Sequence, residues 1–279
     1  MTTSMPFSKT IFYAAIELPR PINCLITFAS VLLGGWLGIH RITEPLLFAA
    51  LSAALITAGG NALNDLCGIT EDRINKPHRP LPSGRLSPGI ARIEMGIFLL
   101  AGILLALPLP APALAIALIA IACLTLYNTY LKRVPLIGNL TVSALGGLAF
   151  LYGGAAIQII SAPWIIAGFA FLFHLGRELL KDLEDSAGDR QLSGSTVPIS
   201  WGENIARVLI TGIFTILIIA TPLPALLGIY GSIYLCLIVL LNLLLIFVLI
   251  RLWQKDTLGY LNKLLKAGML LGLAAFLFA

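Results

Sequence analysis

Charge is what this sequence has least of. Only 11% of its 279 residues are Asp, Glu, Lys or Arg, against 58% hydrophobic, and the mean hydropathy is +0.96. Soluble domains carry roughly 25% charged residues, so a water-soluble globular protein is excluded. Cysteine is scarce as well: Cys24, Cys67, Cys123 and Cys236 lie far apart and form no C-x-x-C pair, which removes a disulfide or zinc framework. The three histidines, His40, His78 and His174, are dispersed. No P-loop pattern occurs, so nucleotide hydrolysis has no support. The apolar runs are continuous rather than alternating, which excludes an outer-membrane barrel.

What is present is a series of apolar spans at 22–39, 45–63, 91–108, 111–127, 138–158, 163–180, 205–222, 225–250 and 264–279. Crossing a bilayer takes ~20 apolar residues. The expected fold class is therefore all-α integral membrane, a bundle of nine transmembrane helices forming one domain over 1–279, with polar motif segments at 61–90 and 177–203. The stretch from Met1 to Pro21 carries Lys9, Glu17 and Arg20 and no cleavage-site pattern, so the first span is expected to be retained. These spans put 17 of the 18 Lys and Arg on one side and leave only Arg41 opposite. The positive-inside rule makes the crowded side cytoplasmic, with the N-terminus on that side of the cell membrane. The basic pI near 9.1 then reports topology and an anionic substrate. No nucleic acid partner is expected, and no obligate protein partner is evident. Span interiors lack ionisable residues apart from His174 and helix-end charges, which argues against a coupled transporter.

Eight of the thirteen acidic residues fall in two short segments: Asp65, Glu71 and Asp72, then Glu178, Asp182, Glu184, Asp185 and Asp189. At 100° per residue, Asn61, Asp65 and Asp72 share one face of a helix continuing out of the second span, with Asn64 alongside. Glu178, Asp182, Asp185 and Asp189 step by four, three and four residues and form a stripe, while Glu184 points away toward solvent. Stacked like charges destabilise a helix, and a divalent cation reverses that sign. Mg²⁺ takes oxygen ligands and joins one or two carboxylates to substrate phosphates. Two acidic stripes among cations at the ends of apolar spans therefore point to a diphosphate with a hydrocarbon tail, of which polyprenyl diphosphates are examples.

The segment NALNDLCGITEDRINKPHRPLPSGRLS resembles the N-D-x-x-D-x-x-x-D and N-x-P-x-R-P-L-P-x-G motifs of the UbiA superfamily of intramembrane prenyltransferases. RELLKDLEDSAGDRQLSGSTVPISWG is similar to that superfamily's D-x-x-D-x-x-x-D segment with its trailing T-x-P-I. YNTYLKRVPLIGNLTVSALGG resembles the connection after the fourth helix, with Lys132 and Asn139 in place. The resemblance implies nine transmembrane helices and Mg²⁺-dependent transfer of a prenyl group from its diphosphate. Within the superfamily, IELPRPINCLITFASVLLGGWLG and RELLKDLEDSAGDR are most similar to the branch that transfers geranylgeranyl to geranylgeranylglyceryl phosphate in ether lipid synthesis. Chlorophyll synthases and homogentisate prenyltransferases share the N-x-P segment but less elsewhere, so an aromatic or chlorin acceptor is the alternative.

One departure stands out: Gly68 takes the place of the motif's middle aspartate, which leaves open a degenerate, non-catalytic isoprenoid-binding homologue. By match to the motifs, Asn64 and Asp72 hold one Mg²⁺, with Asp65 a substitute ligand, and Asp185 and Asp189 hold a second. Asp182 is a further ligand or the partner of a lysine. Arg79, Lys132 and Arg177 are candidates for diphosphate contacts, with Asn139 beside them, while Arg73 and Lys76 are placed to meet an acceptor's glycerol phosphate or lipid head groups. Tyr127, Tyr130 and Tyr152 are candidates to stabilise an allylic cation, against the alternative of packing or an interfacial belt.

Overall fold

A computed structural model describes the backbone over residues 7–191, 195–254 and 257–279, and the side chains over 11–186, 195–254 and 257–279. Nine of the described helices have 18 residues or more: α2 (Pro21–Ile39), α3 (Glu44–Cys67), α5 (Pro88–Ala106), α6 (Ala111–Thr129), α7 (Ile137–Ala156), α8 (Trp164–Gln191), α10 (Glu203–Ala220), α12 (Ser232–Arg251) and α13 (Leu258–Phe276). Shorter helices are α1 (Phe7–Glu17), α4 (Ile69–Asn75), α9 (Val197–Ser200) and α11 (Leu223–Leu226). No strand occurs among the described residues.

Among the described residues seven stretches are long and apolar enough to cross a membrane, and α8 and α13, which carry charges of the candidate site, lie outside that set. Outward-facing Leu100, Ile216 and Leu243 are each more than half exposed. Apolar faces of this extent need lipid rather than water against them.

Inside lipid, packing and interhelical hydrogen bonds replace the hydrophobic drive, so small residues gather at helix crossings. At the crossing of α2 and α7 a Cβ on Gly153 would overlap the Val31 carbonyl oxygen, and one on Gly34 would overlap the Phe150 carbonyl oxygen. The two backbones touch there. Between α3 and α5, Ser52 Oγ donates to the Gly102 carbonyl at 2.7 Å and accepts from the Tyr152 hydroxyl at 3.0 Å.

Two cores result. One unites α2, α3, α5, α6 and α7 around Val31, Leu46, Ile56 and Tyr152. The other is centred on α8, α10, α12 and α13 around Leu179, Phe214, Tyr234 and Leu245. A smaller cluster of Ala14, Leu18, Leu81 and Leu86 fixes α1 against the loop after α4.

The apolar spans correspond to the long helices within a few residues, with three differences. The eighth helix begins at Ser232 rather than 225, because α11 and a left-handed Gly228 (φ 72) turn the chain first. α8 continues to Gln191 because its acidic stripe remains helical, and α13 starts six residues before the expected 264.

Candidate active site

The loop between α1 and α2 places Arg20 between Pro19 and Pro21 with its backbone in the left-handed region (φ 54, ψ 72). That conformation costs a non-glycine residue roughly 1–2 kcal/mol. The offset is ionic: the Arg20 guanidinium pairs with Asp65, which is only 2% exposed. Arg79, from the loop after α4, reaches Asp72 Oδ2 at 2.6 Å and Asp65 Oδ1 at 3.3 Å. Buried carboxylates require such partners. Asn64 Nδ2 donates to Asn128 Oδ1 at 2.8 Å, which ties α3 to α6.

The continuous helix expected from the second span through Asp72 is broken at Gly68. The Gly68 N–H donates to the Asn64 carbonyl at 2.9 Å and the Asp72 N–H to the Gly68 carbonyl at 2.8 Å, but Gly68 itself leaves helical geometry (φ −105, ψ 17). A Cβ there would stand 3.0 Å from the Asn64 carbonyl oxygen and 3.2 Å from Lys132 Nζ. Where the motif has an aspartate, this chain brings an ammonium group instead. Asp65 and Asp72 still face together, because Arg79 bridges them.

The acidic stripe of α8 spreads over several partners. Glu178, 7% exposed, accepts from Arg177 Nη1 at 2.8 Å and Lys181 Nζ at 3.2 Å. Asp182 Oδ2 accepts from Asn139 Nδ2 of α7 at 2.8 Å. Asp185 Oδ2 accepts from Lys76 Nζ at 2.7 Å, which joins the second acidic segment to the first. Asp189 lies outside the described side chains. Glu184, expected to face solvent, is exposed, yet it lines the cavity and takes a 2.8 Å hydrogen bond from Asn262 of α13.

Most of the cations and amides of this group line one end of a cavity of about 630 Å³, with Asp65, Asp72, Asp182 and Asp185 behind them, outside its lining. Arg20, Asn64, Lys76, Arg79, Arg177 and Lys181 line its polar part, and Ile56, Ile116, Leu124, Leu145, Leu148 and Ala149 belong to its apolar part. Tyr127 and Tyr152 also line it, whereas Tyr130 is 71% exposed on the outside. His174 is in the wall and fits because Gly146 opposite has no side chain. Arg73 is exposed on α4, away from the cavity lining.

Sequence reasoning missed Arg20, Asn128, Lys181 and Lys266 as cavity residues. The only sequence signal for Arg20 is its position between two prolines, and the lysines read as cytoplasmic topology charges. Among the described residues no three His, Cys, Asp or Glu side chains group closely enough to hold a metal unaided.

A cationic mouth over an apolar cavity suits an anion with a hydrocarbon tail, and comparison with known proteins agrees. Across 268 residues the chain is 42% identical to the digeranylgeranylglyceryl phosphate synthase of Methanopyrus kandleri, covering 95% of this chain and 98% of that one. It is 32% identical over 264 residues to the same synthase of Methanothermobacter thermautotrophicus, covering 94% of each. A solved structure concerned with digeranylgeranylglyceryl phosphate synthase superposes with a TM-score of 0.75 at 32% identity, covering 95% of this chain and 97% of that one. A UbiA homologue from Archaeoglobus fulgidus bound to GPP and Mg²⁺ shares the fold, with a TM-score of 0.68 at 19% identity over 94% of this chain and 99% of that one. The model of the UbiA prenyltransferase family matches residues 24–274, and the chain is a member of that family, a multi-pass membrane prenyltransferase.

Proposed function

We propose that the chain transfers a geranylgeranyl group from geranylgeranyl diphosphate to the free hydroxyl of geranylgeranylglyceryl phosphate, a step of ether lipid synthesis. In this reading residues 1–279 form one domain. Its nine long helices span the cell membrane, with the N-terminus and the polar end of the cavity on the cytoplasmic side. The observation that carries the proposal is the two-part lining of the 630 Å³ cavity, cations and amides at one end and apolar side chains over the rest. The identity to a synthase of that name along almost the whole chain supports the acceptor.

Mg²⁺ binds one or two carboxylates and completes its shell with phosphate oxygens and water. Asp72 and Asp185 offer one carboxylate each, from α4 and from α8, which pack together. Asn64 adds an amide oxygen. This donor set fits ions that arrive with the diphosphate; Asn64 and Asp72 would hold one and Asp185 and Asp189 a second, and the ions would neutralise the leaving group.

Arg79 and Lys76 add cationic donors beside that position, so the C1–O bond breaks with its electron pair on the diphosphate. Tyr127 and Tyr152 supply aromatic rings near the allylic cation. The apolar wall excludes water that would capture it. The acceptor hydroxyl oxygen then forms the new C–O bond. Asp65 is engaged by Arg20 and Arg79, and the released proton passes to the diphosphate.

Purified protein with labelled geranylgeranyl diphosphate, Mg²⁺ and a panel of acceptors tests this. Product is expected with geranylgeranylglyceryl phosphate. Transfer only to an aromatic or chlorin acceptor, or to none, overturns the proposal.

A further inference from the structure

Six cations line the cavity, and they are unequally paired. Arg20, Lys76 and Arg79 face Asp65, Asp185 and Asp72. On the wall made by α8 and α13, Arg177 and Lys181 both bond to Glu178, with Asp182 adding negative charge near Lys181, whereas Lys266 has no hydrogen-bond or carboxylate partner among the described residues. Glu184, the other carboxylate of that wall, is turned to Asn262. Arg177 also leaves its buried Nε–H without an acceptor. A buried donor left unpaired carries its full desolvation cost, so a site that retains one beside a bare ammonium is arranged for an incoming acceptor group.

The chemistry of that group follows from what is missing. Toward α3 and α4, carboxylates and cations alternate, which suits a diphosphate accompanied by a divalent ion. Toward α13 the cations outnumber the carboxylates, which repels a metal and suits direct contact with phosphate oxygens. Two anionic head groups share one cavity only if each has its own cations.

We propose that Arg177 and Lys266 form a metal-independent subsite for the phosphomonoester of the acceptor lipid, separate from the diphosphate position. The inference rests on the function proposed above. Anchoring the acceptor by its phosphate holds its hydroxyl, two carbons away, at the reaction centre, and makes the enzyme discriminate against an acceptor lacking the phosphate.

The test compares geranylgeranylglyceryl phosphate with its dephosphorylated counterpart, geranylgeranylglycerol, in wild type, Lys266→Met and Lys266→Arg. Wild type is expected to prefer the phosphorylated acceptor in kcat/KM. Lys266→Met is expected to lose about tenfold or more of that preference, the scale of one charge-assisted hydrogen bond. The loss should arise through acceptor KM, with donor KM unchanged, and Lys266→Arg should retain the preference. Calorimetric titration of geranylgeranylglyceryl phosphate in EDTA should show binding to wild type and weaker binding to Lys266→Met. An active wild type whose preference survives Lys266→Met, a parallel rise in donor KM, or binding that vanishes in EDTA overturns the subsite and leaves the proposed function standing. A wild type that prenylates neither glyceryl acceptor overturns both.

Discussion

Lys76 Nζ donates to Asp185 Oδ2 at 2.7 Å, and this contact ties the loop after α4 to the charged end of α8. Neither side chain is deeply buried, so the pair contributes about 0–1 kcal/mol to stability. Its position between the two acidic segments matters more than its strength. Asp185→Ala is expected to lower prenyl transfer by about 100-fold or more, as removal of a group that stabilises transition-state charge does. The thermal midpoint of the detergent-solubilised protein should hardly move. Wild-type turnover in this variant would remove Asp185 from the reaction.

Asp65 has the opposite balance. At 2% exposed, and facing both Arg20 and Arg79, it is a structural anion first. Asp65→Ala strands two guanidinium groups, and breaking a buried pair costs about 3–5 kcal/mol. Arg20 and Arg79 keep partial access to the cavity, which places the loss near the low end, about 3 kcal/mol. A fall in the unfolding midpoint larger than that of Asp185→Ala is the expected measurement. Equal midpoints for the two variants would contradict the assignment.

That contrast also marks what the sequence made legible. Continuous apolar runs locate the long helices because a lipid-facing helix needs nothing but length and hydropathy. The start of α12 was missed because Pro224 and Gly228 redirect a chain whose hydropathy does not change. The helix break at Gly68 is invisible to periodicity, since hydrogen bonding continues on both sides of it. Arg20 reaches Asp65 only through a left-handed turn, a conformation that side-chain spacing does not encode. Lys266 counts in the sequence as one more cytoplasmic cation, and only packing of α13 against α8 brings it to the cavity wall.

The contact of α2 with α7 predicts a sharp difference between glycines. A Cβ on Gly153 would overlap the backbone of Val31, which cannot move aside as a side chain can, whereas Gly168 of α8 has nothing within 4 Å of its Cβ position. Gly153→Ala is expected to abolish the monodisperse peak in detergent size exclusion, and Gly168→Ala to leave it unchanged. Equal behaviour would mean that the two helices are not in backbone contact.

The orientation can be read chemically. Cys67 is exposed at the last residue of α3, next to the candidate site. In a variant retaining only Cys67, a membrane-impermeant maleimide should label inside-out vesicles and spare right-side-out ones. The reverse pattern would place the charged end of the cavity outside the cytoplasm.

Gly68 and Lys132 offer the last prediction. A side chain on Gly68 would begin 3.2 Å from Lys132 Nζ and 3.0 Å from the Asn64 carbonyl oxygen, so aspartate fits only with a small shift of the helix junction. Gly68→Asp adds a carboxylate to the first acidic segment. One further charge near the ion, partly screened, is worth about 1 kcal/mol. The Mg²⁺ concentration for half-maximal turnover should therefore fall by about fivefold. Lys132→Met takes a positive charge from beside the same position, so by the same Coulomb argument it should lower that concentration as well, and it should lower maximal turnover if the ammonium contacts the diphosphate. If Gly68→Asp instead lowers turnover at every Mg²⁺ concentration, the new carboxylate has captured the Lys132 ammonium, and that cation is needed by the substrate itself.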